Sequence, residues 1–236
     1  MSLRLLAIDT ATEVCSAAVW VDGKILEHYE VAGREHTQRL MTQVNQVMDD
    51  AGLTFAQLDG IACGIGPGSF AGVRIGVGYV KGLALALDRP VVGVSSLAML
   101  ALRAVREHGA EHVLAAIDAR MSEIYCGAYQ RTAVGLVESC GPETVCAPEA
   151  MTKSTSASAI AVGSGWKTYR DVLLKVAGTE IMEFLPDALP HAEDALRLAV
   201  PRFAAGQGIN ADDLVPAYLR DKVALTLDEQ VALRKS

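Results

Sequence analysis

The sequence predicts an α/β fold in which one structural unit occurs twice. Residues 5–9 and residues 114–118 are both apolar segments that end in aspartate, as a short buried strand does when it enters a polar turn. A second strand-like segment follows each of them, beginning at Glu13 and at Glu123. Because strand, acidic turn and strand occur in the same order in both places, we expect two halves of the β-β-β-α-β-α type, each with a mixed sheet.

Local signals place the other elements of the first half. Asp22 and Gly23 separate two strand patterns, and this dipeptide favours the tight turn of a β-hairpin. Apolar spacing and short apolar runs predict the rest. These elements are helices over 36–51 and 96–108 and strands over 60–63 and 91–94.

A glycine-rich helix after the strand at 60–63 is the most unusual element, and Ser69 is expected to cap it. Each glycine inside a helix costs about 1 kcal/mol relative to alanine, so the glycines need a structural reason. Gly72 with Gly76, and Gly78 with Gly82, are spaced by four residues and form two flat notches for a close-packed backbone. Packing inside the domain and contact with a helix of another chain both stay open. Phosphate binding at the preceding turn is disfavoured, because the lysine of a phosphate-binding loop is missing.

Composition limits the possible functions. The 236 residues carry a net charge of −7, which leaves no broad basic face for binding RNA without help. Polar residues interrupt every long apolar stretch, so we expect no membrane span and a cytoplasmic protein. The five cysteines are scattered without metal-binding spacing, and we expect free, buried thiols in a reducing compartment.

The predicted element order matches the actin-like (ASKHA) ATPases and sugar kinases, in which two such halves close on ATP. Their nucleotide-binding turns carry Asp-x-Gly, whereas Asp9, Thr10 and Thr12 in the first turn, and Asp118 and Arg120 in the second, have no glycine among them. Thr10 and Thr12 keep hydroxyls suited to phosphate, but Arg120 stands where a γ-phosphate would lie. We expect both aspartates to form Asx-type turns in a vestigial nucleotide site, with no cofactor and no ATP bound by this chain alone.

Five segments spread along the chain resemble the bacterial TsaB (YeaZ) family. They are residues 7–13, 34–39, 66–76, 116–120 and 216–220, and the third is the most specific, although Ala71 replaces the usual threonine. The resemblance implies a non-catalytic subunit of the tRNA threonylcarbamoyladenosine machinery, which modifies the adenosine beside the anticodon. It also implies a TsaD-like catalytic subunit and a TsaE-like P-loop ATPase as partners, with tRNA reached only through the complex.

The catalytic paralogue in that machinery binds a metal through a His-x-x-x-His pair. Ser96 and Leu100 stand at the equivalent positions of this chain, so we expect no metal site. Two other classes of function stay open as alternatives. An actin-like ATPase or small-molecule kinase would bind Mg-ATP and release phosphate, and a glycopeptidase-like metalloenzyme would hold zinc or iron.

Two helices are predicted to form an interface with the catalytic partner, and a homodimer through the same face when the partner is absent. The helix over 36–51 has an apolar stripe, which includes Met41 and is expected to face its own sheet, and a polar face with few charges. The glycine helix contributes the remainder, with the notch of Gly72 and Gly76 setting the distance of approach. The predicted interface residues are His36, Arg39, Gln43, Gln46, Phe70, Gly72, Val73, Arg74, Gly76, Val77 and Lys81.

The chain divides into a first actin-like half over 1–108, a smaller second half over 109–214, and a tail over 215–236 that is expected to pack back on the first half. The tail begins with the last segment of the family resemblance, residues 216–220. In the second half we expect an irregular stretch over 140–158, a strand over 159–163 and helices over 165–177 and 191–206. Residues 224–235 are expected to be partly disordered.

Overall fold

A computed structural model describes residues 3–33 and 35–220 of the chain. The elements of its first part are β1 (Leu5–Asp9), β2 (Val14–Val21), β3 (Lys24–Val31), α1 (His36–Asp50), β4 (Gly60–Gly64), α2 (Phe70–Leu87), β5 (Val91–Val94) and α3 (Ser96–His108). Those of the second part are β6 (His112–Arg120), β7 (Glu123–Arg131), β8 (Val137–Ser139), β9 (Thr144–Cys146), β10 (Ser158–Val162), α4 (Ser164–Val176), β11 (Glu180–Leu185) and α5 (Ala192–Ala204).

The two sheets share one topology, which confirms the predicted duplication. Strands of the first sheet lie in the order β3-β2-β1-β4-β5, and those of the second in the order β8-β7-β6-β10-β11. In each sheet the first three strands of the half pair antiparallel, and two later strands continue the sheet in parallel from its first strand. The second sheet has one extra strand, β9, which pairs antiparallel with β7. The fold is therefore the duplicated actin-like α/β fold with two mixed sheets.

Local signals fixed the ends of several elements as predicted. Asp22 and Gly23 both have a positive φ, 51° and 78°, as the two central residues of a type I′ hairpin turn do. The Ser69 side chain accepts a hydrogen bond from the Gly72 amide and caps α2. Gly109, with φ of 67°, ends α3 in the left-handed conformation.

The second half differs from the prediction between β7 and β10. Residues 132–157, all of which the structure describes, contain β8, β9 and a short 3-10 turn, but no counterpart of α1. The prediction that 140–158 is irregular was therefore wrong for β9, which pairs with β7. Strands of three residues are too short to show a period of two, so their pattern did not predict them.

The last helix of each half covers the sheet of the other half. Helix α3 packs on β6 and β7, whereas α5 packs on β1, β2, β4 and β5. A core cluster joins Leu5, Ala62 and Val92 of the first sheet to Ala195 and Leu196 of α5. The predicted boundaries near residues 108 and 214 therefore separate the two sheets correctly. The helix before each boundary, however, packs on the sheet of the other half.

The segment that leads to Arg220 joins both halves, rather than packing on the first half alone as predicted. The Ala217 amide donates to the Ile65 carbonyl oxygen at 2.8 Å in the first half. Nη2 of Arg220 donates to the Ala119 carbonyl at 3.0 Å and to Glu123 at 2.6 Å in the second half. We call residues 215–220 the strap. The disorder predicted for 224–235 lies outside the described residues.

Candidate functional site

A cleft of about 910 Å³ lies between the two halves. Its walls are the turn after β1, the Gly-rich turn before α2, the turn after β6, the start of α4 and the strap. In its place in the fold this cleft corresponds to the predicted vestigial nucleotide site.

Asp9 lies at the end of β1 and is fully buried. Neither of its carboxylate oxygens accepts a well-formed hydrogen bond, so the predicted Asx-type turn is incomplete at this residue, although the Ala11 amide that would close it acts on the carboxylate. Burial raises the pKa of Asp9 to about 7, although the Ala11 amide and the charge of His191 act in the opposite direction. The carboxylate lies against the Cα of Gly64, in a space that any side chain at that position would fill.

The two threonines of the first turn are engaged within the fold. Oγ1 of Thr10 donates to the Gly72 carbonyl oxygen at 2.7 Å, and the residue is fully buried. Thr12 lines the cleft, and its Oγ1 accepts a weak hydrogen bond from the Val14 amide at 3.4 Å. The expectation that Thr10 offers a free hydroxyl to phosphate is therefore wrong, because that hydroxyl fastens β1 to α2.

The turn after β6 is built as predicted. Oδ1 of Asp118 accepts the Arg120 amide at 2.8 Å, which is an Asx turn. Nη1 of Arg120 lies 3.4 Å from Oδ2 of the same carboxylate. Arg120, Met121 and Ser122 all have a positive φ, between 54° and 62°, and this left-handed turn holds the Arg120 side chain above the aspartate. In the second turn, the Arg120 guanidinium is therefore paired with the Asp118 carboxylate of the same turn.

The Gly-rich turn packs against the first turn. The Ser69 amide donates to the Ala11 carbonyl at 2.6 Å, and a β-carbon at Gly68 would collide with the same carbonyl. Gly72 likewise faces the Thr10 carbonyl, and a β-carbon at Gly76 would lie 2.6 Å from Thr10 Oγ1. The notch of Gly72 and Gly76 is thus filled by this chain's own backbone, which corrects its predicted place at an interface.

Six of the eleven predicted interface residues are buried inside the chain. His36 is 5% exposed, and its Nε2 lies 2.9 Å from the Thr12 carbonyl oxygen and 3.0 Å from that of Val14. It anchors the start of α1 to the first turn, so its predicted contact with a partner is wrong. The other five are Gln43, Gly72, Val73, Gly76 and Val77.

The accessible part of the predicted face comprises Arg39, Gln46, Phe70, Arg74 and Lys81. The guanidinium of Arg74 stacks 3.3 Å from the centre of the Phe70 ring. Nζ of Lys81 donates to the Asp212 carbonyl at 2.9 Å, so this side chain is partly held by the fold. The partner contact of these five residues stays a prediction.

Four further residues are exposed on α1 and α2: Met41, Gly78, Gly82 and Leu85. Of these, the sequence pattern singled out only the two glycines, through their spacing. Met41 is 58% exposed and Leu85 is 57% exposed, so the prediction that Met41 faces its own sheet was wrong. Gly78 and Gly82 are exposed, and a β-carbon at either position would have no neighbour within 4 Å. The notch of Gly78 and Gly82 is therefore the open one.

Helix α2 is unusually apolar for the area that it exposes. By length and composition alone it is the one helix of residues 3–33 and 35–220 that could cross a membrane, with a mean hydropathy of 1.4. Its buried residues, 33% of the total, face β4 and β1 of its own sheet. Ile75, Tyr79 and Leu83 are partly buried against the same core, whereas Phe70, Gly78, Gly82 and Leu85 are exposed.

Metal ligands do not converge in the part of the chain that the structure describes. No group of three or more His, Cys, Asp or Glu side chains there has the arrangement of a metal site. Ser96, at the position of the paralogue's first histidine, is fully buried at the start of α3. The predicted absence of a metal stays a prediction.

Two mixed sheets of one topology around a cleft define a protein of the duplicated actin-like class. The family model described as "TsaD: tRNA N6-adenosine threonylcarbamoyltransferase" matches residues 28–226. The tRNA threonylcarbamoyladenosine biosynthesis protein TsaB of Escherichia coli K12 is 42% identical over 94% of this chain and 96% of its own. TsaB of Haemophilus influenzae is 38% identical over 94% and 95%.

Solved structures agree with this relationship. YeaZ from Pseudomonas aeruginosa has a TM-score of 0.86 at 46% identity, covering 92% of this chain and all of its own. A second structure from the same organism, described as an uncharacterized protein with similarity to peptidase YeaZ, has a TM-score of 0.87 at the same identity. The chain belongs to the TsaB family of tRNA threonylcarbamoyladenosine biosynthesis proteins.

Proposed function

We propose that this chain is a non-catalytic subunit in tRNA threonylcarbamoyladenosine biosynthesis, which binds and stabilises a TsaD-like catalytic subunit. The observation that carries the proposal is the open side of α2, an 18-residue helix that is strongly apolar but only one-third buried. Exposed apolar surface of this kind marks a binding site in a protein that stays soluble. We call the open side of α1 and α2, defined by Arg39, Met41, Gln46, Gly78, Gly82 and Leu85, the helix face.

The composition of the helix face favours a protein partner. Gly78 and Gly82 lie one turn apart and allow the backbone of another helix to approach closely. Met41 on α1 and Leu85 on α2 add exposed apolar side chains. Arg39, which pairs with Glu35 at 2.9 Å, and Gln46 add polar groups, and interfaces are enriched in methionine and arginine in the same way.

The kind of partner is inferred from the two-fold pairing that such a face allows. A face built from two helices can pair with the same face of a second copy, which gives a two-fold homodimer when the chain is alone. A TsaD-like protein shares the family model that matches residues 28–226, so it carries helices equivalent to α1 and α2. Such a protein can replace one copy of the pair, and the heterodimer then forms at the expense of the homodimer.

We assign catalysis and tRNA binding to the other subunits. Asp9 is fully buried and does not line the cleft, and Arg120 lies 3.4 Å from Asp118 in the second turn, which disfavours a metal–nucleotide complex at either place. The net charge of −7 disfavours tRNA binding by this chain alone, and ATP turnover falls to a TsaE-like P-loop ATPase.

Replacing Gly78 with Leu tests the helix face. The new side chain would overpack the notch, which typically costs about 1–3 kcal/mol, or about a tenfold to hundredfold loss of affinity. We expect weaker binding to the TsaD-like subunit and a monomeric chain by sedimentation velocity. Because leucine favours helix over glycine, the isolated variant should melt no lower than the natural chain.

Gly141→Leu is the matched control, because Gly141 is also open but lies in the loop between β8 and β9. It should leave the dimer and partner binding intact. If Gly78→Leu and Gly82→Leu both bind the partner as tightly as the control does, the helix face is not the interface. Micromolar Mg-ATP binding with phosphate release by the isolated chain would instead support an actin-like kinase.

A further inference from the structure

Two cysteines of the second half lie in contact across neighbouring strands. Cys126 is on β7 and Cys146 is on β9, and their sulfur atoms are 3.8 Å apart. In the strand register Cys126 is opposite Thr144, and Cys146 is opposite Ile124, so the two cysteines are diagonal neighbours. Both side chains lie on the side of the sheet that packs against Trp166 and Met151.

No other pair of thiols in this chain is placed in this way. All five cysteines lie within the described residues and are free. Cys15 and Cys63 are fully buried on β2 and β4, which β1 separates. Cys140 is exposed and isolated in the loop after β8.

The two sulfurs differ in access. Cys126 is only 5% exposed, whereas Cys146 is partly exposed at the end of β9. Among the described residues strand β9 pairs with β7 alone, so this three-residue strand can adjust its position along β7 without breaking other strand pairs. A disulfide needs a sulfur–sulfur distance of about 2 Å, and a small movement of this short strand with a side-chain rotation closes the gap.

We propose that Cys126 and Cys146 form a reversible intramolecular disulfide, with a low-molecular-weight disulfide such as oxidised glutathione as the oxidant. The Cys146 thiolate attacks the oxidant, forms a mixed disulfide and releases one reduced glutathione. The Cys126 thiolate then attacks the Cys146 sulfur and releases the second glutathione. Each glutathione leaves as a thiolate and takes up a proton, so two protein thiols are oxidised and one glutathione disulfide is reduced.

Burial and the neighbouring Cys126 thiol raise the pKa of Cys146 to about 11. Because only the thiolate attacks, formation is slow at neutral pH and accelerates as the pH rises toward that pKa. The product joins β9 to β7 beside Tyr125, whose side chain lines the cleft from the opposite side of the strand. Oxidation therefore fixes the segment before α4 without filling the cleft.

The test uses the full chain with Cys140→Ser, which removes the isolated exposed thiol and keeps four of the five cysteines. After incubation with oxidised glutathione at pH 8.5 and unfolding, we expect two titratable thiols instead of four, and a mapped peptide link between Cys126 and Cys146. Reduction should restore all four thiols. The oxidised chain should also melt at a higher temperature, because the link reduces the conformational entropy of the unfolded chain.

Two further variants in this background test the order of attack. Cys126→Ser should trap glutathione on Cys146, because the second thiol is missing. Cys146→Ser should leave Cys126 unmodified, because it is buried. Four thiols remaining after oxidation, a link between Cys15 and Cys63, or chains linked to each other would overturn the proposal. A Cys126→Ser chain that takes up no glutathione would overturn the assignment of Cys146 as the entry point.

Discussion

Asp9 lies in the first of the two turns that were predicted to form a vestigial nucleotide site. Its carboxyl group stands at the end of β1, where it is fully buried and neither oxygen accepts a well-formed hydrogen bond. Burial is the largest cause of its raised pKa, and the charge of Glu27 adds to the rise, while that of His191 lowers it. The residue is therefore a source of pH dependence rather than a ligand.

Replacing Asp9 with Asn should remove that dependence. The unfolded pKa of aspartate is about 3.9, and the folded value is about 7, so the folded chain holds a proton that the unfolded chain releases. Stability due to this group is complete below about pH 4, falls as the pH rises, and is lost above about pH 7, by about 4 kcal/mol in total. Urea unfolding at pH 4.5, 6 and 8 should show Asp9→Asn gaining stability over the natural chain as the pH rises. Parallel curves for the two chains would contradict the burial of an ionisable Asp9.

At the scale of one element, α2 uses the same residue type for two purposes. Its first glycine pair, Gly72 and Gly76, admits Thr10 of the β1 turn, whose hydroxyl donates to the Gly72 carbonyl. Its second pair, Gly78 and Gly82, faces open space. The first pair thus locks the start of α2 to the turn after β1, whereas the second pair leaves one side of its later turns open.

The same substitution should have opposite effects in the two pairs. Gly76→Ala places a β-carbon 2.6 Å from Thr10 Oγ1, and we expect a loss of about 1–3 kcal/mol in the free energy of unfolding. Gly82→Ala meets nothing within 4 Å and should gain about 0.5–1 kcal/mol from helix propensity. Urea unfolding of both variants at low protein concentration provides the comparison. Changes of the same sign would show that the two pairs are not packed differently.

At the scale of the whole molecule, each half contributes one helix that packs on the sheet of the other half. Arg106 of α3 pairs with Asp194 of α5 at 2.7 Å, and Asp194 is fully buried. Burial raises the pKa of Asp194 to about 6, although Arg106 opposes the rise. The strap adds a second link, because Arg220 contacts Ala119 and Glu123. Neither half has a complete core without the other.

A fragment of residues 1–108 should therefore fail to fold alone. Without α5, the face of the first sheet that carries Leu5, Ala62 and Val92 loses its cover. We expect an aggregating fragment without a cooperative thermal transition, and recovery of soluble protein when residues 109–236 are produced with it. A soluble fragment that melts cooperatively by circular dichroism would show that the first half is an independent unit.

Sequence alone determined which elements form and that they form twice. The hairpin at Asp22 and Gly23, the Ser69 cap and the Gly109 stop depend on contacts within a few residues, so local chemistry fixes them. Repetition of the Asp-ended strand was enough to predict the duplicated fold, and the Asp118 turn followed from its own spacing. The short strands β8 and β9 were not predicted, because three residues are too few to show the alternating pattern of a strand.

Only the tertiary structure decided which side of α2 stays open. Both glycine pairs have the same spacing, so the sequence pattern is equally consistent with either as the interface. The choice depends on Thr10, which lies 62 residues before Gly72 in the chain and reaches it only through the sheet. The burial of His36 and the contact of Cys126 with Cys146 arise in the same way. Such contacts are set by strand order and register, which join residues that no local pattern relates.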